Sequence, residues 1–224
     1  MRWSLPRIVF WSFLILGIAL VVVSSLPYVL PGGTHPFLDE RPHLTADTLW
    51  RVALTVHVAS GIFALPVGAF LFSTAAQRRW PALHARLGRV FLVVLVAGLV
   101  PSGTYLAVFA KGGLAAGSGF FLSGVFTAAA ALHSVRLATQ RQFVAHRDWM
   151  LRAYAQLASA ITFRIVHLAL QFSALSYEEL YITSLWVSVL GNAVLAEVLI
   201  AAFHYKRRVR SRVTFHTSPS FESA

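Results

Sequence analysis

Cysteine is absent from this 224-residue chain, and acidic residues are scarce, with 8 Asp and Glu against 19 Lys and Arg. Without cysteine there is no disulfide, no thiolate metal site, no iron–sulfur cluster and no cysteine nucleophile. Charged residues of both signs make up only 12% of the chain, where a soluble domain carries about 25%. Hydrophobic residues reach 57% and the mean hydropathy is +0.68. Together these deficits exclude an ordinary soluble globular domain. Also missing are a Gly-rich nucleotide signature, which removes an NAD or flavin domain from this chain, and a His-Glu-x-x-His zinc motif. No convincing internal repeat runs along the sequence.

Six long apolar runs are present instead. A bilayer core asks for roughly 20 apolar residues per helix, and residues 8–30, 48–75, 87–110, 114–138, 151–175 and 180–204 meet that requirement. The expected fold is an all-α integral membrane protein, a six-transmembrane-helix bundle. It forms one domain over residues 1–210, with core spans two to five at 48–175, followed by a flexible cytoplasmic tail at 211–224. Pro66 and Pro101 fall inside spans two and three, where lipid-embedded helices tolerate proline and kink at it. The basic start and apolar run resemble a signal peptide, but the run continues past Val23 and reads as an uncleaved first helix.

The basic residues set the orientation. Fifteen of the 19 Lys and Arg residues precede span one, follow span six, or surround the loops between spans two and three and between spans four and five. The opposite side holds Asp39, Glu40, Asp47, Glu178 and Glu179. By the positive-inside rule both termini are cytoplasmic, in a multi-pass protein of the inner (cytoplasmic) membrane. The net charge of +11 is thus a topology signal, with lipid as the partner and no nucleic acid expected.

Polar groups inside spans are costly and mark function by default. On a helical projection of span five, Arg152, Gln156, Ser159, Arg164, His167 and Gln171 share one stripe within about 140° of arc. Such a stripe faces the bundle or a wet cavity, where it either knits helices together or lines a site. In span two, His57 shares a face with Ala53, Ser60, Gly61, Ala64 and Gly68. Small residues there permit close helix packing or leave room for a flat cofactor. His57 and His167 lie roughly 14 Å and 12 Å below the same face at 1.5 Å per residue. They can therefore ligate one haem iron, bind a metal, or merely hydrogen-bond. Near the basic face, His84, His133 and His146 share a level that suits a metal ion or a second haem, or interfacial hydrogen bonding. Asp148 can orient a histidine or pair with Arg147 or Arg152. Glu197 needs a partner or a proton, with Arg164 as the candidate partner.

Three segments carry a family resemblance: His57-Val58-Ala59-Ser60-Gly61, His84-Ala85-Arg86-Leu87-Gly88-Arg89, and His146-Arg147-Asp148-Trp149-Met150-Leu151-Arg152 with the later Arg164. They resemble the bacterial membrane proteins of domain-of-unknown-function family 2306, over spans two to five. That resemblance implies a multi-span integral membrane protein and no particular activity. A looser, architectural similarity is to transmembrane b-type cytochromes, which hold haem between histidines of facing helices.

The sequence thus sets out an expectation of membrane electron transfer or oxidoreductase chemistry with b-type haem. His57 and His167 are the axial ligands, and Arg164 and Gln156 lie beside the cofactor. Arginines would meet haem propionates or a quinol headgroup, and a redox partner protein would complete electron transfer. The alternatives are a proton-coupled permease, with Glu197 or a histidine carrying the proton, and a structural membrane subunit without cofactor.

Overall fold

A computed structural model describes residues 5–30, 33 and 35–216. Among them every regular element is helical. The long helices are α1 Leu5–Ser25, α2 Thr48–Phe72, α3 Pro81–Ala107, α4 Gly113–Thr139, α5 Phe143–Leu170 and α6 Tyr177–His216. A 3-10 turn, Leu26–Tyr28, extends α1, and all six segments are long and apolar enough to cross a membrane. The all-helical six-span membrane architecture is therefore the one read from the hydropathy.

Boundaries move where capping chemistry overrides hydropathy. The Asp47 carboxylate caps α2, accepting from the backbone N–H of Leu49 at 2.8 Å and of Trp50 at 3.3 Å. Ser73 ends α2 and caps the short helix Thr74–Arg79. Pro81 opens α3 six residues before the expected start, because its missing N–H costs nothing in the first helical turn. Arg86 and Arg89 ride on that helix, where long side chains reach out to the headgroups. α5 likewise begins at Phe143. His84 and His146, expected just before spans, thus lie within helices. α6 continues to His216, past the expected domain end at 210, and residues 217–224 of the expected tail lie outside the described residues.

Two helices depart from regularity, and both departures bear on the site. α3 widens to a π-helical stretch at Val94–Leu99 just before Pro101. Proline lacks the N–H that would continue the α ladder, and a π turn shifts the bonding to i→i+5. α5 breaks once at Ala158.

The core lies where α2, α3, α4 and α5 meet. Ala64, Leu65, Phe91, Leu95, Ala130, Ala131 and Ala153 are almost completely buried there. Small residues let α4 and α5 close tightly, and polar links reinforce the contact. Ser134 donates to the His146 carbonyl at 2.8 Å, and His146 Nδ1 donates to the Ser134 carbonyl at 2.9 Å. Outward lie Leu16, Val52, Val93, Leu122, Leu168 and Val194, an exposed apolar belt of the kind that contacts lipid.

Six consecutive spans bring both ends to the face bearing most Lys and Arg. Reporter fusions at Ala224 and between residues 34 and 45 are expected to report opposite sides, the former cytoplasmic. Finding both on one side contradicts the topology.

Candidate ligand cavity between the six helices

All six helices contribute to one internal cavity of about 370 Å³ in the outer half of the bundle. Most of its wall is apolar, including Leu54, Val58, Leu157, Phe163 and Leu185. Four of the 19 basic residues lie away from the basic face, namely Arg41, Arg51, Lys111 and Arg164, and three of them line this cavity. No lining residue is acidic.

Arg164 on α5 is the innermost of these cations. Its Nε donates to Ser24 Oγ at 2.9 Å, one Nη to Ser25 Oγ at 3.0 Å and the other to the Ala160 carbonyl at 3.0 Å. Two serines at the end of α1 thus hold the guanidinium in place. Among the described residues its contacts include no carboxylate.

His57 faces the same space from α2. His57 Nδ1 lies 3.0 Å from the Leu99 carbonyl at the end of the π turn, an oxygen that also accepts from Ser102 Oγ at 3.2 Å. Gly103 makes room for the ring, since a Cβ there would sit 2.8 Å from Cε1 and 2.9 Å from Nδ1. Deeper still, Gln156 is 4% exposed and bonded at both ends of its amide. It accepts from Ser123 Oγ at 3.0 Å and donates to the Val189 carbonyl at 3.0 Å.

Phe37 and Arg41, in and beside the single-turn helices Pro36–Asp39 and Pro42–Thr45, line the outer end. Arg41 donates to the Phe109 carbonyl at 2.5 Å and lies 4.8 Å over the Phe37 ring. Lys111 pairs with Glu40 and stands 4.7 Å over the Tyr177 ring. The Lys111 ammonium holds the Glu40 carboxyl below its usual range. Phe37 stacks on Trp50, which is 2% exposed and whose indole N–H has no partner among the described residues.

His35 anchors this outer cap. Its Nδ1 accepts from the Phe37 N–H at 3.1 Å, and Tyr28 Oη lies 2.9 Å from the same nitrogen. Burial lowers the pKa of His35, against the weaker opposing pull of Asp39. The unfolded cap then takes up protons before the folded one does. Its stability is intact above about pH 6.5 and falls as the pH drops below that value. The Leu44 amide, bonded within the cap to Arg41 O at 3.0 Å, is expected to exchange faster at pH 5.5 than at 7.5 after correction for intrinsic rates. Equal protection at both values counts against this anchoring.

The stretch from α2 to α6 thus carries most of the site and, near the starts of α3 and α5, the basic-histidine segments. A family model described as Predicted membrane protein (DUF2306) matches residues 54–200. The chain belongs to this family. No curated protein and no solved structure matches it. The family match extends the resemblance seen in spans two to five into α6, whose Tyr181, Leu185, Ser188 and Val189 close the cavity.

Within this DUF2306 protein, the residues singled out in the sequence fall into three groups. His57, Gln156 and Arg164 line one cavity. His167 does not line it. Its ring stacks on Phe163 at 5.4 Å and 14°, edge-on to Tyr177 and Tyr181, with Ser184 Oγ 3.5 Å from Nδ1. Gln156, Ser159 and Arg164 share the cavity face across the break at Ala158, whereas His167, farther along α5, meets α6 instead. The third group is near the basic face and does not converge. His133 packs edge-on to Trp149 at 4.7 Å, while His146 is tied to Ser134. His84 lies close enough to His146 to interact electrostatically. Among the described residues no three His, Asp or Glu side chains are placed to hold a metal ion.

Glu197 has a partner other than the one expected, and Asp148 takes a histidine, one of its two expected alternatives. Glu197 pairs with Arg152, not Arg164, through bonds of 2.6 and 2.9 Å, because Arg152 lies closer to its depth. Asp148 meets His204 at 2.7 Å in place of an arginine. Sequence reasoning passed over Trp50, Arg41, Lys111 and the Ser24–Ser25 pair. One signal for the two loop cations was available: they are basic residues on the side that otherwise lacks them.

Proposed function

We propose that this protein binds a small amphiphilic anion inside its helix bundle. The head sits on Arg164 and the apolar body lies among the aliphatic and aromatic walls. Arg164 carries the reading. A cation within a membrane is expensive and is ordinarily paired, yet among the described residues this one is positioned by two hydroxyls and a carbonyl. Two of its N–H donors stay available for an oxyanion, which guanidinium binds well. The experiment is a titration of purified protein in phosphatidylcholine nanodiscs with dodecanoate and with dodecanol, each referenced to empty nanodiscs. Saturable dodecanoate binding with dodecanol at least about tenfold weaker is expected. Equal affinity for the two overturns the anion site.

A second reading, electron transfer through b-type haem, is favoured by His57. Metal-ligating histidines typically anchor one nitrogen on a carbonyl or carboxylate and present the other to the metal. His57 has that arrangement, and Arg164 is a ready partner for a propionate. His167 fits less well, because Phe163 lies against its ring. Bound haem would supply one-electron redox chemistry, drawing electrons from a quinol or passing them to a partner protein. The expected sign of this reading is a Soret band in protein purified from haem-replete cells, lost in His57→Ala. Purified protein without Soret absorbance eliminates it.

A further inference from the structure

We infer that His57 is a hydrogen-bond acceptor toward the bound molecule, so that the cavity selects amphiphilic anions that also carry a hydroxyl group. This rests on the anion-binding reading of the same cavity. A backbone carbonyl can only accept, so the contact of 3.0 Å from Nδ1 to the Leu99 oxygen places the proton on Nδ1. A neutral ring then presents Nε2 as a bare lone pair. No hydrogen bond to Nε2 is formed among the described residues. The tautomer is set by the fold, because the π turn before Pro101 positions the carbonyl and Gly103 seats the ring.

The cations and the indole of the wall supply the opposite chemistry, while its hydroxyls, such as those of Thr104 and Ser159, can donate or accept. Arg41, Lys111, Arg164 and the indole of Trp50 can only donate. A molecule that satisfies both sets offers acceptor oxygens to the cations and one O–H to His57. A hydroxylated alkyl carboxylate or a phenolic acid has this pattern. An ether or a plain carboxylate leaves the imidazole lone pair unmatched, a desolvation loss that shows directly in affinity.

The test uses dodecanoate, its 2-, 6- and 12-hydroxy derivatives and the matching methoxy ethers, titrated into the protein in phosphatidylcholine nanodiscs. At least one hydroxy isomer is expected to bind about tenfold more tightly than dodecanoate, and its ether no better than dodecanoate. In His57→Asn the amide N–H still reaches toward the Leu99 carbonyl but the Nε2 acceptor is gone. That variant is expected to lose the tenfold gain while keeping its affinity for dodecanoate. Nitrogen-15 spectra of the wild-type histidines are expected to show His57 as the neutral Nδ1–H tautomer, whether or not the variant folds. Dodecanoate binding without any preference for hydroxyl over ether overturns this inference and leaves the anion site standing, as does an Nε2–H or doubly protonated ring. No binding of any of these acids by the wild type overturns both.

Discussion

Gly68→Val is expected to lower stability by at least about 3 kcal/mol, the upper end of overpacking costs. A Cβ at position 68 would fall on the ring atoms Cδ2 and Cε2 of Tyr154, with Phe91 Cε2 3.2 Å away. The Tyr154 ring has no room to move. Its hydroxyl donates to the Leu65 carbonyl at 2.9 Å, and Phe72 packs at 5.3 Å. The contact joins α2 to α5 at the centre of the core, so the strain spreads to both helices. Gly191 on α6 provides the control. A Cβ there meets nothing within 4 Å, and Gly191→Ala is expected to leave stability unchanged or raise it by up to about 1 kcal/mol. Thermal midpoints of the two variants in mild detergent check the pair. A Gly68→Val midpoint within 2–3 °C of wild type would falsify this packing.

Arg164→Gln is expected to weaken dodecanoate binding by about 10- to 100-fold, the loss of a charge-assisted hydrogen bond worth about 1.5–3 kcal/mol. The same change is expected to leave the thermal midpoint level or higher. It removes a charge from the membrane interior that no carboxylate compensates, while Ser24 already has the Val21 carbonyl within 3.2 Å as a fallback partner. Losing binding without losing stability separates a ligand site from a structural arginine. A purely structural Arg164 gives the reverse, a lower midpoint with affinity unchanged. Arg164→Lys is expected to retain part of the affinity, because it keeps the charge and loses the planar fork.

Hydropathy and the positions of arginine were enough to read six spans and the face that gathers both ends. They place Gln156, Arg164 and His57 within the bundle, since a polar group at mid-depth has nowhere else to go. His167 shows where periodicity stops being informative. A projection gives a residue's azimuth about one helix axis, not the neighbour it meets at its own height. Its ring meets Phe163, Tyr177, Tyr181 and Ser184 one turn beyond Arg164, outside the cavity that His57 lines. Depth arithmetic also grouped His84, His133 and His146, but a shared level says nothing about azimuth, and His133 turns to Trp149. The π turn at Val94–Leu99 is a tertiary outcome, although Pro101 marks its place. Without it the Leu99 carbonyl that fixes His57 is not foreseeable. The outer cap escaped notice because its residues lie outside every apolar run.

The most direct measurement is photo-crosslinking with a dodecanoate analogue that carries a diazirine near the chain end, followed by mass-spectrometric mapping of the adducts. Competition by excess unlabelled dodecanoate identifies the specific ones. Specific adducts are expected on cavity-wall residues such as Leu54, Val58, Leu157 and Phe163, and they are expected to disappear in Arg164→Gln. Adducts confined to the lipid-facing residues Val52, Leu122 and Leu168, insensitive both to competition and to Arg164→Gln, would contradict an internal anion site.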